Sequence, residues 1–187
     1  MSDIFQEIPD EIDEDWKWGA IVGGWSSENL VIARAYRTAG DWLVDKGLRE
    51  EEMYEVAYPI LFLYRHSIEL YLKAIARDHT HYEDVSRSAK EKPNQRSPGH
   101  RLLIDELKEV VQLRFRQKLP ARLLLFLEGF ARNDPDSQTF RYEDGPKSGA
   151  ELWADLRQAK VMMDVLVKGL ERIIHEVRRG PADPNGS

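Results

Sequence analysis

Residues 58–77, YPILFLYRHSIELYLKAIAR, decide how the rest of the chain is read. At helical spacing Leu61, Tyr64, Ile68, Tyr71 and Ile75 form one apolar stripe, and Ile60, Leu63, Leu70 and Ala74 form a second beside it. Two adjacent stripes predict a helix buried over most of its circumference. One narrow polar line interrupts it. Arg65 and His66, then Glu69, then Lys73 follow at steps of three and four, on neighbouring turns of one side. Ionisable side chains on a buried helix are costly unless paired or solvated by a cleft. The line is therefore either a partly exposed edge with a Glu69–Lys73 pair, or a central helix giving Arg65, His66 and Glu69 to a functional groove.

Toward the N terminus, Ser26 or Ser27 is expected to cap a first helix that runs to about Lys46 and stops at Gly47. Its apolar positions include Leu30, Val31, Ala35, Ala39, Trp42 and Leu43. Ahead of it, residues 1–25 read as an acidic, tryptophan-rich arm. Residues 1–15 carry seven acidic side chains and no basic one, and Trp16, Trp18 and Trp25 need a surface on the bundle or on a partner subunit. The central helix is expected from near Glu50 to about Asp78, kinked at Pro59.

Toward the C terminus, residues 79–99 are polar and aperiodic, with Pro93 and Pro98, and read as a long loop. A third helix is expected from about His100 to Phe115, and Pro120 suits the first turn of a fourth, ARLLLFLEGFAR. Residues 133–149 read as a second long loop, with Pro135, Gly145 and Pro146 as breakers. The last helix, about Ala150 to Arg179, is expected to be the longest. Its stripe is Leu152, Leu156, Ala159, Met163, Leu166, Leu170, Ile173 and Val177, and Met162 and Met163 read as packing residues. No stretch alternates as a strand does. The fold class is all-α, a bundle of about five helices over residues 26–180, with 181–187 a flexible tail.

Composition narrows the chemistry. A chain of 187 residues is most simply one domain and needs no staples, and with no cysteine there are neither disulfides nor thiolate metal sites. The formal charge of −6 argues against a protein that coats nucleic acid non-specifically. The charge is uneven, however: residues 85–122 hold ten Lys/Arg against four Asp/Glu, a local +6 that suits a positive patch. No apolar run approaches the ~18 residues of a membrane span, and the acidic start is the opposite of a signal peptide's, so the cytosol is the expected setting.

No GxxxxGK phosphate loop and no GxSxG elbow occurs. His79 and His81 flank Thr80, but nothing at an obvious helical spacing completes a zinc set, so neither metal nor cofactor is expected. Ser67 adjoins His66, yet helical neighbours point about 100° apart, poor geometry for a nucleophile and its base. Two places remain. His100 opens a helix after a basic loop, where anions are attracted, or is simply a capping or packing residue. The segment 132–145, RNDPDSQTFRYEDG, carries Phe140 and Tyr142, which prefer burial, so it is expected to be pinned to the body. Asp134 or Asp136 there suits a pair with Arg141, and Arg132 suits a phosphate or a carboxylate of the central helix; a purely structural loop is the other reading.

Taken together, RHSIELYLKAIAR, GHRLLIDEL and RNDPDSQTFRYEDG resemble a branch of the HEPN superfamily over roughly Tyr58 to Val177. That resemblance implies a small all-α protein that forms a homodimer and belongs to a bacterial stress, toxin–antitoxin, phage-defence or RNA-processing system. Catalytic members pair an Arg and a following polar residue with a His after four to six more, and cleave RNA without metal across the dimer interface. None of the five histidines here stands at that spacing. Arg132-Asn133 matches the first half, but Ser137, Gln138 and Thr139 occupy the histidine's places, and such groups transfer protons poorly at neutral pH.

The reading that follows is an HEPN-like protein that binds RNA, a nucleotide or a protein partner encoded nearby. Arg65, Asn133, Asp134, Asp136, Arg141 and Tyr142 are its candidate ligand contacts. The alternative is a metal-independent endoribonuclease with His66, Glu69, His100 and Arg132 as its catalytic set. In both, the polar line on the central helix is expected to face the 132–145 segment.

Overall fold

The computed structural model describes residues 28–86, 100–134, 139–140 and 153–179, with the backbone alone for 80–86. Among these residues the chain is a bundle of five helices without a strand: α1 (Asn29–Glu50), α2 (Met53–Ser86), α3 (His100–Phe115), α4 (Ala121–Asn133) and α5 (Leu156–Arg178). The arm at 1–25, the tail at 181–187 and most of both expected loops lie outside the described residues.

α2 is the organising element. It packs on α1, α3 and α5, while α5 closes the bundle against α1, α3 and α4. Ile60, Tyr64, Ile68, Leu70, Tyr71, Leu72, Ala74 and Ile75 are all buried, so the apolar stripes of residues 58–77 do enter the core. α5 follows its predicted stripe from Leu156 to Val177, and Met162 and Met163 are buried packing residues. No helix among the described residues is long and apolar enough to cross a membrane.

Several boundaries differ from expectation, each for a physical reason. Gly47 does not end α1; it lies within the helix, which continues to Glu50 and closes on Glu51 in the left-handed conformation at φ 58°. The N–H groups of Glu51 and Glu52 both reach the Gly47 carbonyl, so α1 and α2 form a tight helical hairpin. A Cβ at Gly47 would stand 2.9 Å from Val56 Cγ2 and 3.3 Å from Met53 Cα. That glycine serves close approach, not termination.

The N-cap of α1 is Glu28 rather than Ser26 or Ser27, and its side chain makes no capping bond. The buried face of α1 is also rotated from the predicted one. It runs through Leu30, Ala33, Gly40, Val44 and Gly47, leaving Trp42 70% exposed. Small residues won because α1 lies close on α2, where a Cβ at Gly40 would meet the Tyr64 ring at 2.6 Å.

α2, not α5, is the longest helix, at 34 residues against 23. Pro59 is accommodated inside it, and it continues eight residues past Asp78 to Ser86, through what reads as loop. His79 is buried there. Asp78 also receives Arg178 Nε at 2.7 Å, and the same guanidinium reaches Glu28, so the start of α1 and the end of α5 are clasped to α2 at Asp78. Farther along, Arg34–Glu171, Arg37–Asp164 and Asp45–Lys160 pair α1 antiparallel with α5.

Candidate functional site

The polar line of α2 divides over two sides of the helix. Arg65 is 1% exposed and turns toward the end of α4. Its Nη1 lies 2.9 Å from Glu69 Oε2, one turn along, and its Nε lies 2.7 Å from Asp134 Oδ2 and 3.4 Å from the Asp134 carbonyl oxygen. Glu69 is shared, since its other oxygen lies 2.7 Å from Lys73 Nζ. Burial on its own would raise the Glu69 pKa, but Lys73 and Arg65 outweigh it and hold the carboxyl below its usual range.

Asp134 is 1% exposed and does two jobs. Its Oδ2 faces Arg65, and its Oδ1 accepts the backbone N–H of Thr139 at 2.8 Å, fixing the turn that follows. Phe140 then packs on the core, its ring 6.5 Å from that of Tyr58 and 6.4 Å from that of Phe130. The central helix therefore meets the segment after α4 through Arg65 and Asp134. The expected pair of Asp134 or Asp136 with Arg141 involves residues outside the described ones; among the described residues the Asp134 carboxylate lies on Arg65 of α2.

His100 joins the same place from α3. It is 3% exposed, and neither ring nitrogen has a hydrogen-bond partner among the described residues. Burial, reinforced by the nearby Arg65 charge, pushes its pKa down to about 4, with Glu69 and Asp134 opposing in part. The imidazole is therefore neutral at physiological pH. Its position opening α3 matches the expectation from sequence, but its side chain is packed inward and does not present itself to an anion outside.

His66 lies apart from this cluster. Its ring stacks on Phe62 at 5.8 Å and meets Tyr36 of α1 edge-on at 4.5 Å, an aromatic setting on the α1 side. The two Glu69 oxygens lie on Arg65 and Lys73, while the His66 ring turns to Phe62 and Tyr36. Arg132 is exposed on α4, and Asn133 is spent on the helix end, its Nδ2 donating to the Gly129 carbonyl at 2.9 Å. Of the catalytic set read from the sequence, Glu69 lies on Arg65 and His100 is buried within reach of the same charges, while His66 packs on Tyr36 and Phe62 and Arg132 is exposed on α4. Asp136, Arg141 and Tyr142 lie outside the described residues.

The Arg65–Glu69–Asp134–His100 cluster can bind α2, the start of α3 and the end of α4 into one unit. Among the described residues it sets one guanidinium against two carboxylates, beside a neutral imidazole. No group of three His, Cys, Asp or Glu among the described residues is arranged to hold a metal ion. Five cations that the site reading passed over stand at the opposite end of α4: Arg114, Arg116, Lys118, Arg122 and Arg172. The signal for four of them was the basic stretch 85–122; for Arg172, on α5, the sequence carries none.

No protein-family model, curated protein or solved structure matches this chain.

Proposed function

We propose that this chain is an HEPN-like helical binding protein that acts as a homodimer in the cytosol. It engages RNA or another phosphate-bearing partner, without cleaving it, within a bacterial stress, toxin–antitoxin or defence system. One observation carries the preference for binding over catalysis. Arg65 is buried against Glu69 and Asp134, and His100 is buried with neither ring nitrogen partnered among the described residues. Acid–base cleavage needs a histidine within hydrogen-bond reach of the reacting hydroxyl, with a pKa near the working pH. A His100 held near 4 is a poor base at neutral pH and worse as an acid.

The phosphate preference rests on the basic stretch 85–122 in an otherwise acidic chain. Support for association of two copies comes from apolar side chains left on the surface, Trp42 on α1 and Val161 and Val165 one turn apart on α5. The test incubates purified protein with single-stranded and structured RNA in EDTA, scoring binding and cleavage together, with light scattering for mass. Binding without cleavage, at twice the chain mass, is expected. Cleavage that is lost in His66→Ala or His100→Ala would replace this reading with a metal-independent endoribonuclease.

A further inference from the structure

The basic corner between α3 and α4 has features that the fold alone does not require. Arg114 lies in the last turn of α3, Arg116 and Lys118 in the connection, and Arg122 in the first turn of α4. Arg172 arrives from α5, its guanidinium carbon 5.9 Å from the Phe115 ring centroid, so three helices deliver cations to one place. Arg116, Lys118, Arg122 and Arg172 are exposed, and none of the five makes an ion pair with the described residues. Elsewhere the surface is mixed: Lys46, Lys73, Lys108, Lys160, Lys168 and Arg178 are each within ion-pair distance of a carboxylate, while Arg49, Arg101, Arg132 and Arg157 stand singly without one among the described residues.

Two local preferences are broken at this corner. Helix N-termini favour acidic residues, because the unpaired N–H groups there carry partial positive charge. α4, like α1, α3 and α5, has no acidic residue in its first turn; it carries Arg122 there, after a Pro120 N-cap that supplies no side-chain acceptor. Second, Arg116 closes α3 with φ 51°, in the left-handed region where glycine is the easier choice. Four arginines and one lysine also suit phosphate better than generic charge would, since the guanidinium fork grips two oxygens and stacks on planar rings.

We infer that this corner, Arg114, Arg116, Lys118, Arg122 and Arg172, is a binding site for the phosphodiester backbone of a nucleic acid strand. The inference rests on the binding function proposed above and supplies its contact surface. Successive phosphates replace the missing counter-ions, and the N-terminus of α4 adds its positive end to the same field. The contacts read phosphate and not base, so RNA and DNA strands of equal length are expected to bind alike.

The test is fluorescence anisotropy with an unstructured twelve-nucleotide RNA, its DNA counterpart and anionic phospholipid vesicles, over a salt series. With five cations engaged, log affinity should fall against log salt with a slope of about −3.5 for a single strand. The triple variant Arg116→Gly, Lys118→Gln, Arg122→Gln should bind at least tenfold more weakly, with a slope shallower by about 2. Arg49→Gln, an exposed arginine at the end of α1, should bind as wild type does. The single variant Arg116→Gly guards against misfolding: it should weaken binding while its melting temperature stays level or rises. Wild-type binding that the triple variant retains in full overturns the corner and leaves the binding function standing. Vesicle binding without RNA or DNA binding, or no binding to any probe at low salt, overturns both.

Discussion

Arg65 and the α3–α4 corner place cations in opposite circumstances. At Arg65 one guanidinium is buried against two carboxylates; at the corner five cations stand without a single ion pair among the described residues. The physics of burial explains the first. Withdrawing an ion from water costs several kcal/mol, so a buried arginine persists only where the fold supplies its counter-charges. Nothing forces an exposed cation to pair, and surface pairs are worth ~1 kcal/mol or less. The buried charges thus act on the architecture, and the unpaired ones are those available to an outside anion. A charged residue on a buried helix draws the eye in a sequence, yet here it is the one the fold consumes.

Three measurements of stability break or sharpen this contrast. The largest effect is expected from Arg65→Met, which leaves Asp134 buried and uncompensated. Urea denaturation should show a loss of about 3–5 kcal/mol. A loss under ~1 kcal/mol would mean that Asp134 finds other solvation, and the cluster would no longer count as architectural.

A smaller effect concerns pH and His100. Its pKa is about 4 in the folded chain and 6.5 as the ordinary value, so below 6.5 the unfolded chain takes up a proton that the folded chain does not. Stability is therefore full above 6.5 and is lost as pH falls toward 4, on the order of 2 kcal/mol from this group by pH 5. His100→Phe removes the titration and both unpartnered nitrogens. Its denaturation midpoint should match or exceed wild type at pH 7 and fall less steeply between pH 7 and pH 5. Parallel pH profiles for the two proteins would show that His100 is not held neutral by burial.

The smallest effect belongs to the corner. Arg116→Gly relieves a left-handed backbone and removes one cation from an unbalanced group, so the melting temperature should stay level or rise by an amount equivalent to about 0.5–1 kcal/mol. The two regions should then respond with opposite signs to the loss of one arginine. A clear drop on Arg116→Gly would indicate a structural contact there and remove the contrast.

Much of the architecture was legible from periodicity. The stripes of α2 and α5 enter the core, α3 spans the predicted residues, and the turn after α4 is pinned through Asp134 and Phe140. Two of the errors share one cause. Gly47 reads as a stop and Trp42 as core because local preferences favour those roles, whereas the close α1–α2 contact requires small residues at Gly40 and Gly47. The polar end of α2, residues 79–86, reads as loop because it carries no apolar periodicity, yet the helix continues through it.

The sequence by itself determined the class of fold, the buried faces of α2 and α5 and the presence of a basic region in an acidic chain, because these depend on spacing within a helix and on composition. The tertiary structure alone decided which ionisable groups meet. Arg65 finds Asp134 across 69 residues, His66 turns to Tyr36 rather than to Glu69, and Arg172 joins a turn more than fifty residues earlier. Coulomb energy and desolvation depend on distance in space, and separation along the chain does not encode that distance.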